Sequence, residues 1–291
     1  MRIDLQLHST YSDGYLTPTE LAEMAQKFGI KVVALTDHDT VAGQEEFLKA
    51  CEARGIKAII GIELYVKLNN KKFNILWYNF DKSHPDLHKV LRQCQIRRRA
   101  SVRKILEKLK ERGFEVDAEK ILDQFNHYVP INKIVGAFAA SGKNIEKIKK
   151  ELGTDRPQES EMIRNYFRNK VIGVLRESYI NIKRILKLRE KIGGQIILNH
   201  PGKFNQINRE FFAKLKAVGI DGVEILSPHH SIGAVMYAQY LARENKFMET
   251  GGSDFHLHEG NGHLIQNSLE YFIIDSEKLR DIEKVINNQP V

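Results

Sequence analysis

Residues 3–14 have the sequence IDLQLHSTYSDG, and the prediction of the fold starts from this segment. Apolar and polar residues alternate in its first half, which is typical of a β-strand with two different faces. Gln6 and His8 fall on the same face, and the turn that follows places His8 and Asp13 at the carboxyl end of the strand. In a barrel of parallel strands this end carries the chemistry. A strand tip with a buried histidine and a turn-forming aspartate is the alternative, and this segment alone favours neither.

The composition is that of an ordinary soluble protein, with 291 residues of which 42% are hydrophobic and 28% are charged. No run is long and apolar enough to cross a membrane, and a strand pattern rather than a signal peptide starts the chain. Cys51 and Cys94 lie far apart without metal-type spacing, so we expect neither a disulfide framework nor a thiolate metal site. A reducing, cytoplasmic location is the expectation.

Helices and strands are predicted to alternate after the first strand. The predicted elements are a helix that starts at Thr17-Pro18, a strand over 31–36, a helix over 41–54, and strands over 56–64 and 72–78. The pattern returns later with strands over 195–199, 221–226, 247–250 and 271–274, and with helices over 208–218, 231–244 and 277–286. This order predicts an α/β fold built on parallel strands.

Residues 83–193 interrupt this pattern with helical periodicity, and no strand is predicted there. We therefore expect a barrel domain formed by residues 1–82 and 194–291, and a helical insertion over 83–193. The total charge of +8 is unevenly divided, because Lys82–Lys191 carries 27 Lys and Arg against 14 Asp and Glu. A basic insertion in an acidic body indicates an anionic partner, although Lys-rich solvated helices would give the same count.

Ligand-type side chains recur where the predicted barrel strands end. They are His8, Asp13, His38, Glu63, His200, Asp254 and His256. Four histidines and three carboxylates at one rim are too many buried polar groups to keep without compensation by metal ions. Histidine with carboxylate suits Zn²⁺, Mn²⁺ or Fe²⁺, whereas each residue alone would more often be a strand-end cap or a satisfied core side chain. The joint pattern predicts a metal centre.

These motifs resemble the PHP (polymerase and histidinol phosphatase) family along nearly the whole chain. The matching segments are Ile3–Ser9 with Ser12–Gly14, Thr36–Thr40, Gly61–Glu63, Asn199–Gly202 and Gly252–His256. The position of the insertion is similar to that in the subgroup that acts on nucleoside 3',5'-bisphosphates and RNA 5' ends. The resemblance implies a distorted (β/α)7 TIM-like barrel with a helical insertion, which binds one to three divalent ions.

The resemblance also implies how seven ligands would be divided among the ions. One ion would use His8, Glu63 and Asp254; a second would use Asp13, His38 and His256; a third would share Glu63 and use His200. Within this set, Asp13, His38, Glu63 and His256 are the residues expected to be catalytic.

Three positions depart from the family pattern. Gln6 and Asn74 stand where the family usually has histidine, and Val129-Pro130-Ile131-Asn132 replaces a segment of the Arg-Pro-His-Ile-Ala type. Amide oxygens are neutral and bind transition metals more weakly than imidazole does. We therefore expect fewer than three tightly bound ions, with the Asp13, His38 and His256 site intact.

The function that the resemblance implies is a metal-dependent phosphoesterase acting on nucleotides or short oligonucleotides. Two ions would lower the pKa of a bridging water and direct hydroxide in line at phosphorus. Candidate substrate contacts are His229, His230, Arg97, Arg98, Arg99 and Arg103. A solvent-facing helix is the alternative for the arginines. Long duplex nucleic acid and membranes are not expected partners.

The second hypothesis is a PHP-like binding or regulatory protein with a weakened metal site. The sequence leaves the oligomeric state open.

Overall fold

The computed structural model describes residues 1–256 and 272–288. Its strands are β1 (Arg2–Leu7), β2 (Val32–Leu35), β3 (Lys57–Leu68), β4 (Lys71–Tyr78), β5 (Arg168–Asn169), β6 (Gly173–Val174), β7 (Ile180–Asn181), β8 (Gln195–Leu198), β9 (Gly222–Leu226), β10 (Met248–Gly251) and β11 (Ile274–Asp275). Nine of them form one sheet in the order β10-β9-β8-β4-β3-β2-β1-β11, with β7 beside β3. A bridge joins Leu7 of β1 to Phe255, which follows β10, and so connects strands on opposite sides of this sheet. The predicted barrel class is confirmed.

The helices are α1 (Pro18–Lys27), α2 (Gln44–Glu52), α3 (Pro85–Glu111), α4 (Ala118–Leu122), α5 (Ile131–Ala139), α6 (Gly142–Leu152), α7 (Glu159–Met162), α8 (Ile182–Ile192), α9 (Arg209–Val218), α10 (Ile232–Glu244) and α11 (Glu283–Ile286). The predicted start of α1 is confirmed, because Thr17 and Glu20 form a reciprocal capping box ahead of Pro18. None of the helices in the described part of the chain is long and apolar enough to cross a membrane.

The strand directions depart from an all-parallel sheet at β4. Strands β1, β2 and β3 are parallel, as are β8, β9 and β10, but β4 runs antiparallel to both β3 and β8. Only Asn69 and Asn70 separate β3 from β4, which suits a hairpin and is too short for a parallel crossover. Asn69 adopts a φ of 54°, which a tight turn of this kind requires.

The insertion has an apolar cluster of its own, which includes Leu106, Phe138 and Phe167. Contrary to the sequence expectation, it also contains short strands, because β5 pairs with β6 and β7 adds to β3. The start of α3 and all of α8 bury their apolar side chains in the barrel core. The division at residues 83 and 193 stays a prediction.

The end of the chain carries β11 antiparallel to β1. The predicted last strand over 271–274 lies partly outside the described residues, since Tyr271 is not among them. The described portion begins its strand at Ile274.

The carboxyl ends of the parallel barrel strands converge on one rim. His38 bridges to Glu63 beside the end of β2, and the backbone N–H of His8 donates to the carbonyl of Phe255 at 3.0 Å. Two glycines permit this convergence. A Cβ on Gly14 would lie 2.1 Å from the carbonyl oxygen of His8, and one on Gly252 would lie 2.3 Å from Cβ of Gln6.

Candidate metal centre

The structure brings all seven predicted ligand residues to this rim. Ligand atoms of His8, Asp13, His38 and His256 lie within 4.8 Å of one another, and so do those of His8, Glu63 and Asp254. His200 joins through Nε2, which is 3.4 Å from Oε1 of Glu63. Residues separated by up to 248 positions in the sequence therefore form one cluster, with His8 in both groups.

One half of the cluster is rich in imidazole. Oδ1 of Asp13 lies 3.2 Å from Nε2 of His256 and 3.7 Å from Nδ1 of His8, and Oδ2 lies 3.6 Å from Nε2 of His38. The rings of His8 and His256 stack with centroids 4.2 Å apart. This half contains Asp13, His38 and His256, the set that was predicted to be intact, together with His8, which was predicted to bind a different ion.

The other half is rich in carboxylate. Nε2 of His8 lies 3.2 Å from Oε2 of Glu63 and 3.2 Å from Oδ1 of Asp254, and all three side chains are buried. Asp254 has a φ of 51° and His200 a φ of 23°, which non-glycine residues seldom adopt. Such backbone strain is typical of functional sites, where it aims a side chain at its target.

A hydrogen-bonded turn holds the first two predicted ligands, His8 and Asp13, in place. The buried carboxylate of Asp37 accepts from the backbone N–H of Ser9 at 2.7 Å, from the Ser9 hydroxyl at 2.6 Å and from the Ser12 hydroxyl at 2.5 Å. Ser9 directly follows His8, and Ser12 directly precedes Asp13. Asp37, which follows β2, therefore orients both predicted ligands that follow β1.

The donor chemistry of the cluster fits divalent metal ions. The Nδ1 atoms of His8, His38 and His200 are buried without a hydrogen-bond partner among residues 1–256 and 272–288. Buried polar atoms of this kind are costly unless something pairs with them. Imidazole nitrogen suits Zn²⁺ and Fe²⁺, and the carboxylates of the same cluster suit Mn²⁺. The unsatisfied nitrogens therefore indicate that the cluster is built to hold cations.

Histidines and carboxylates of the cluster share protons. Burial alone would lower the pKa values of His8 and His256, but the facing carboxylates outweigh it and raise both, so a bound ion would displace these protons. Burial lowers the pKa of His38 to about 4, so its ring is neutral and keeps a lone pair at neutral pH. Burial alone would raise the pKa values of Asp13, Glu63 and Asp254, but the neighbouring cationic and hydrogen-bonding groups outweigh it. All three pKa values lie well below the usual range, and the carboxylates are ionised.

The two substituted positions face the cluster and act as donors. Nε2 of Gln6 donates to Oε2 of Glu63 at 3.1 Å and to Oδ1 of Asp254 at 2.8 Å. Nδ2 of Asn74 donates to Oε1 of Glu63 at 2.6 Å. In this arrangement the amides occupy carboxylate oxygens that would otherwise be available to an ion.

The third departure from the family pattern lies at the border between insertion and barrel. Nδ2 of Asn132 donates to the carbonyl of Asp13 at 2.9 Å, and Nζ of Lys133 donates to the carbonyl of Ser12 at 3.2 Å. The start of α5 therefore contacts the backbone of the turn that carries Asp13.

The two adjacent histidines that the sequence singled out have different surroundings. Nε2 of His229 lies 2.6 Å from Oδ2 of Asp254, at the edge of the cluster, and its side chain is partly exposed. His230 donates through Nδ1 to the carbonyl of Ile225 at 2.8 Å and accepts from the backbone N–H of Gly202 at 3.0 Å. Both nitrogens of His230 are thus used by the backbone, whereas His229 faces the cluster.

The four arginines of α3 have protein partners rather than a common open surface. Arg98 is buried, forms an ion pair with Glu177, and lies over the ring of Tyr128 at 4.1 Å. Tyr128 in turn packs on His38, with ring centroids 5.4 Å apart. The remaining contacts are those of Arg97 with the Ser178 hydroxyl at 2.8 Å, Arg99 with Asp123 at 2.6 Å, and Arg103 with Glu119 at 2.6 Å. Their predicted role in binding substrate stays a prediction.

Lys203 is a site residue that the sequence reasoning missed. Its Nζ lies 3.2 Å from Oδ2 of Asp254, and its side chain is 39% exposed. It belongs to the short turn Pro201–Phe204 that directly follows His200. Its place three residues after a ligand was the available signal.

Comparison with known proteins places these observations in a family. A model of the PHP domain matches residues 4–170. A 5'-3' exoribonuclease of Haemophilus influenzae is 28% identical over 264 residues, covering 88% of this chain and 90% of that protein. A phosphoribosyl 1,2-cyclic phosphate 1,2-diphosphodiesterase of Eggerthella lenta is 28% identical, with 87% and 93% covered. A 3',5'-nucleoside bisphosphate phosphatase of Chromobacterium violaceum is 26% identical, with 87% of each chain covered.

Solved structures share the fold over nearly the whole chain. A metal-dependent phosphoesterase from Bifidobacterium adolescentis superposes with a TM-score of 0.76 at 20% identity, covering 99% of this chain and 96% of that one. An amidohydrolase from Chromobacterium violaceum superposes with a TM-score of 0.75 at 23% identity and the same coverage.

Proposed function

The chain belongs to the PHP domain family and is a metal-dependent phosphoesterase, and we propose that it hydrolyses phosphate esters of nucleotides or short oligonucleotides. The observation that carries this proposal is the cluster of four histidines and three carboxylates, in which buried ring nitrogens have no partner among the described residues. The alternative of a non-catalytic binding protein has less support, because the relatives are named as phosphatases, diesterases and nucleases.

We propose that the imidazole-rich half, with His8, Asp13, His38 and His256, holds an ion most tightly. Glu63 and Asp254 would hold a second ion together with His8. His200 would bind a third ion, which shares Glu63 as a ligand. When bound, divalent ions at such a centre lower the pKa of water and neutralise phosphoryl oxygens. Mn²⁺, Fe²⁺ and Zn²⁺ are the proposed ions because each accepts mixed nitrogen and oxygen ligands.

The rim residues supply the positive charge that a phosphate ester needs. Lys203 is partly exposed, and the ion pair with Asp254 holds the ammonium group of Lys203 beside the centre. His229 shares the same carboxylate oxygen, so its ring is held at the edge where a leaving oxygen would emerge. We propose that Lys203 binds a phosphoryl oxygen and that His229 holds the proton that the leaving group takes.

The basic insertion supports an anionic substrate through its field. Its charge excess attracts phosphates over distances of about 10 Å at moderate salt. Arg97, Arg98, Arg99 and Arg103 would contribute to this field, with direct contact left to the groups at the rim. The two cysteines are buried and free, which supports a proposed cytoplasmic location.

Phosphate release from defined substrates tests the proposal. The purified chain would be loaded with Mn²⁺, Fe²⁺ or Zn²⁺ and given a nucleoside 3',5'-bisphosphate or a short 5'-phosphorylated RNA. Free phosphate and mononucleotide products distinguish phosphatase from nuclease activity. We expect His256→Ala to reduce the rate at least a hundredfold, and His88→Ala, an exposed histidine of the insertion, to leave it unchanged. A fully loaded wild-type protein that cleaves none of these esters would refute the proposal.

A further inference from the structure

A cavity of about 490 Å³ opens beside the metal centre, on the side of α10. Its lining includes Asn205, Ile207, His229, Ser231, Ala234 and Tyr237. A volume of this size falls within the range of cavities that hold small organic ligands. No residue of the metal cluster itself lines it, so the cavity is a neighbouring compartment of the same rim.

His229 is the wall that the cavity shares with the centre. Its Nε2 lies 2.6 Å from Oδ2 of Asp254, while its ring also faces the cavity. Its ring centroid is 5.4 Å from that of His200. A molecule whose phosphate lies at the centre would therefore be separated from the cavity by one side chain, that of His229, and could extend past it into the cavity.

The lining has the chemistry that suits a flat heteroaromatic ring. Ala234 and Tyr237 are three positions apart on α10 and therefore project from the same face, with Ile207 adding apolar surface. The ring of Tyr237 lies nearly parallel to that of Tyr240, with centroids 6.4 Å apart, and its side chain is still exposed. The side-chain amide of Asn205 has no hydrogen-bond partner in the described part of the chain, and it offers both a donor and an acceptor.

We propose that this cavity is a subsite for the nucleobase of the substrate, with the base stacked on Tyr237 and its polar edge directed to Asn205. The inference rests on the proposed function, because it narrows the proposed substrates from phosphate esters in general to esters that carry a nucleobase. Stacking on an aromatic side chain is tolerant of base identity, so the subsite would favour nucleotides over sugar phosphates without selecting one sequence.

Kinetics with a matched pair of substrates tests the subsite. A nucleoside 3',5'-bisphosphate would be compared with ribose 3,5-bisphosphate, which lacks only the base. We expect Tyr237→Ala to raise KM for the nucleotide about tenfold more than KM for the sugar, because one stacking contact is lost. Tyr237→Phe keeps the ring and should retain KM for the nucleotide. Met236→Ala removes an exposed apolar side chain that does not line the cavity, and it should leave both values unchanged.

Calorimetric binding of the same nucleotide gives a readout that does not depend on turnover. We expect Tyr237→Ala to weaken nucleotide binding about tenfold relative to wild type. If the two substrates respond equally to Tyr237→Ala, or if nucleotide binding is unchanged, the subsite is refuted while the phosphoesterase stands. If the wild-type protein cleaves neither substrate, the proposed function fails, and calorimetry still decides whether the base binds at Tyr237.

Discussion

Replacing Gln6 and Asn74 by histidine tests how these two amides limit the metal centre. In the present chain they donate three hydrogen bonds to Glu63 and Asp254, at 3.1, 2.8 and 2.6 Å. An imidazole in each place would offer a lone pair to an ion instead of an N–H group to a carboxylate. We expect the wild-type chain to hold fewer than three ions tightly and the double variant to bind at least one more.

The magnitude follows from the bonds that change. Hydrogen bonds to charged groups contribute about 1.5–3 kcal/mol each, so the metal-free double variant should be less stable than the metal-free wild type. An additional ion at a hundred times its Kd would return about 2.7 kcal/mol. For a domain of this size, about 2–4 °C of Tm corresponds to 1 kcal/mol. The rise in Tm on adding metal should therefore be roughly 5–10 °C larger in the variant.

Elemental analysis and thermal unfolding, with and without added Mn²⁺ or Zn²⁺, measure these two quantities. Gln239→His is the matched control, because Nε2 of Gln239 also donates to a buried carboxylate, that of Glu249, at 2.9 Å. That site lies at the start of β10 and outside the metal cluster. A folded double variant with an unchanged ion count and an unchanged Tm rise would refute the reasoning. Metal content is a cleaner readout than activity. The double variant keeps Asn132, the third position that departs from the family pattern, and this residue could still limit activity.

Three further predictions concern single groups. His38→Ala should lower the metal content of the purified protein clearly in elemental analysis, with His88→Ala as the control; unchanged content would refute the assignment of His38 as a ligand. Burial raises the pKa of Asp4 from 3.8 to about 6, so the folded protein binds this proton more tightly and loses about 3 kcal/mol of stability as pH rises from about 4 to 6. Urea unfolding at pH 4 and 7 should show that loss in the wild type relative to Asp4→Asn, and parallel curves would contradict it. Glu177→Gln should cost about 3–5 kcal/mol because it leaves buried Arg98 unpaired, whereas Glu119→Gln removes an exposed partner and should cost under about 1 kcal/mol; equal costs in denaturant unfolding would show that burial does not set the value of this pair.

Local sequence patterns predicted the α/β order of helices and strands, and the resemblance to the PHP family supplied the barrel. The assignment of the ligands stays a prediction. Alternation along β1 places Gln6 and His8 on one face, because the period of two is a property of the strand itself. The capping residues of α1 also predicted its start, because a helix cap acts within one turn and is therefore local in the sequence. The reversal at β4 was also readable in principle, because the seven residues between the predicted strands over 56–64 and 72–78 are too few for a parallel crossover.

The pairing of side chains was decided only by the tertiary structure. The amide of Gln6 meets Glu63 and Asp254, which are 57 and 248 positions away, and strand alternation does not predict whether its nitrogen or its oxygen faces them. Sequence also groups Arg97, Arg98, Arg99 and Arg103 as one basic cluster, whereas helical geometry sends them to different partners and buries Arg98. Lys203 reaches Asp254 only because the turn after His200 folds back over the rim. Contacts of this kind depend on how distant segments pack together, and the free energy of that packing is not contained in any local pattern.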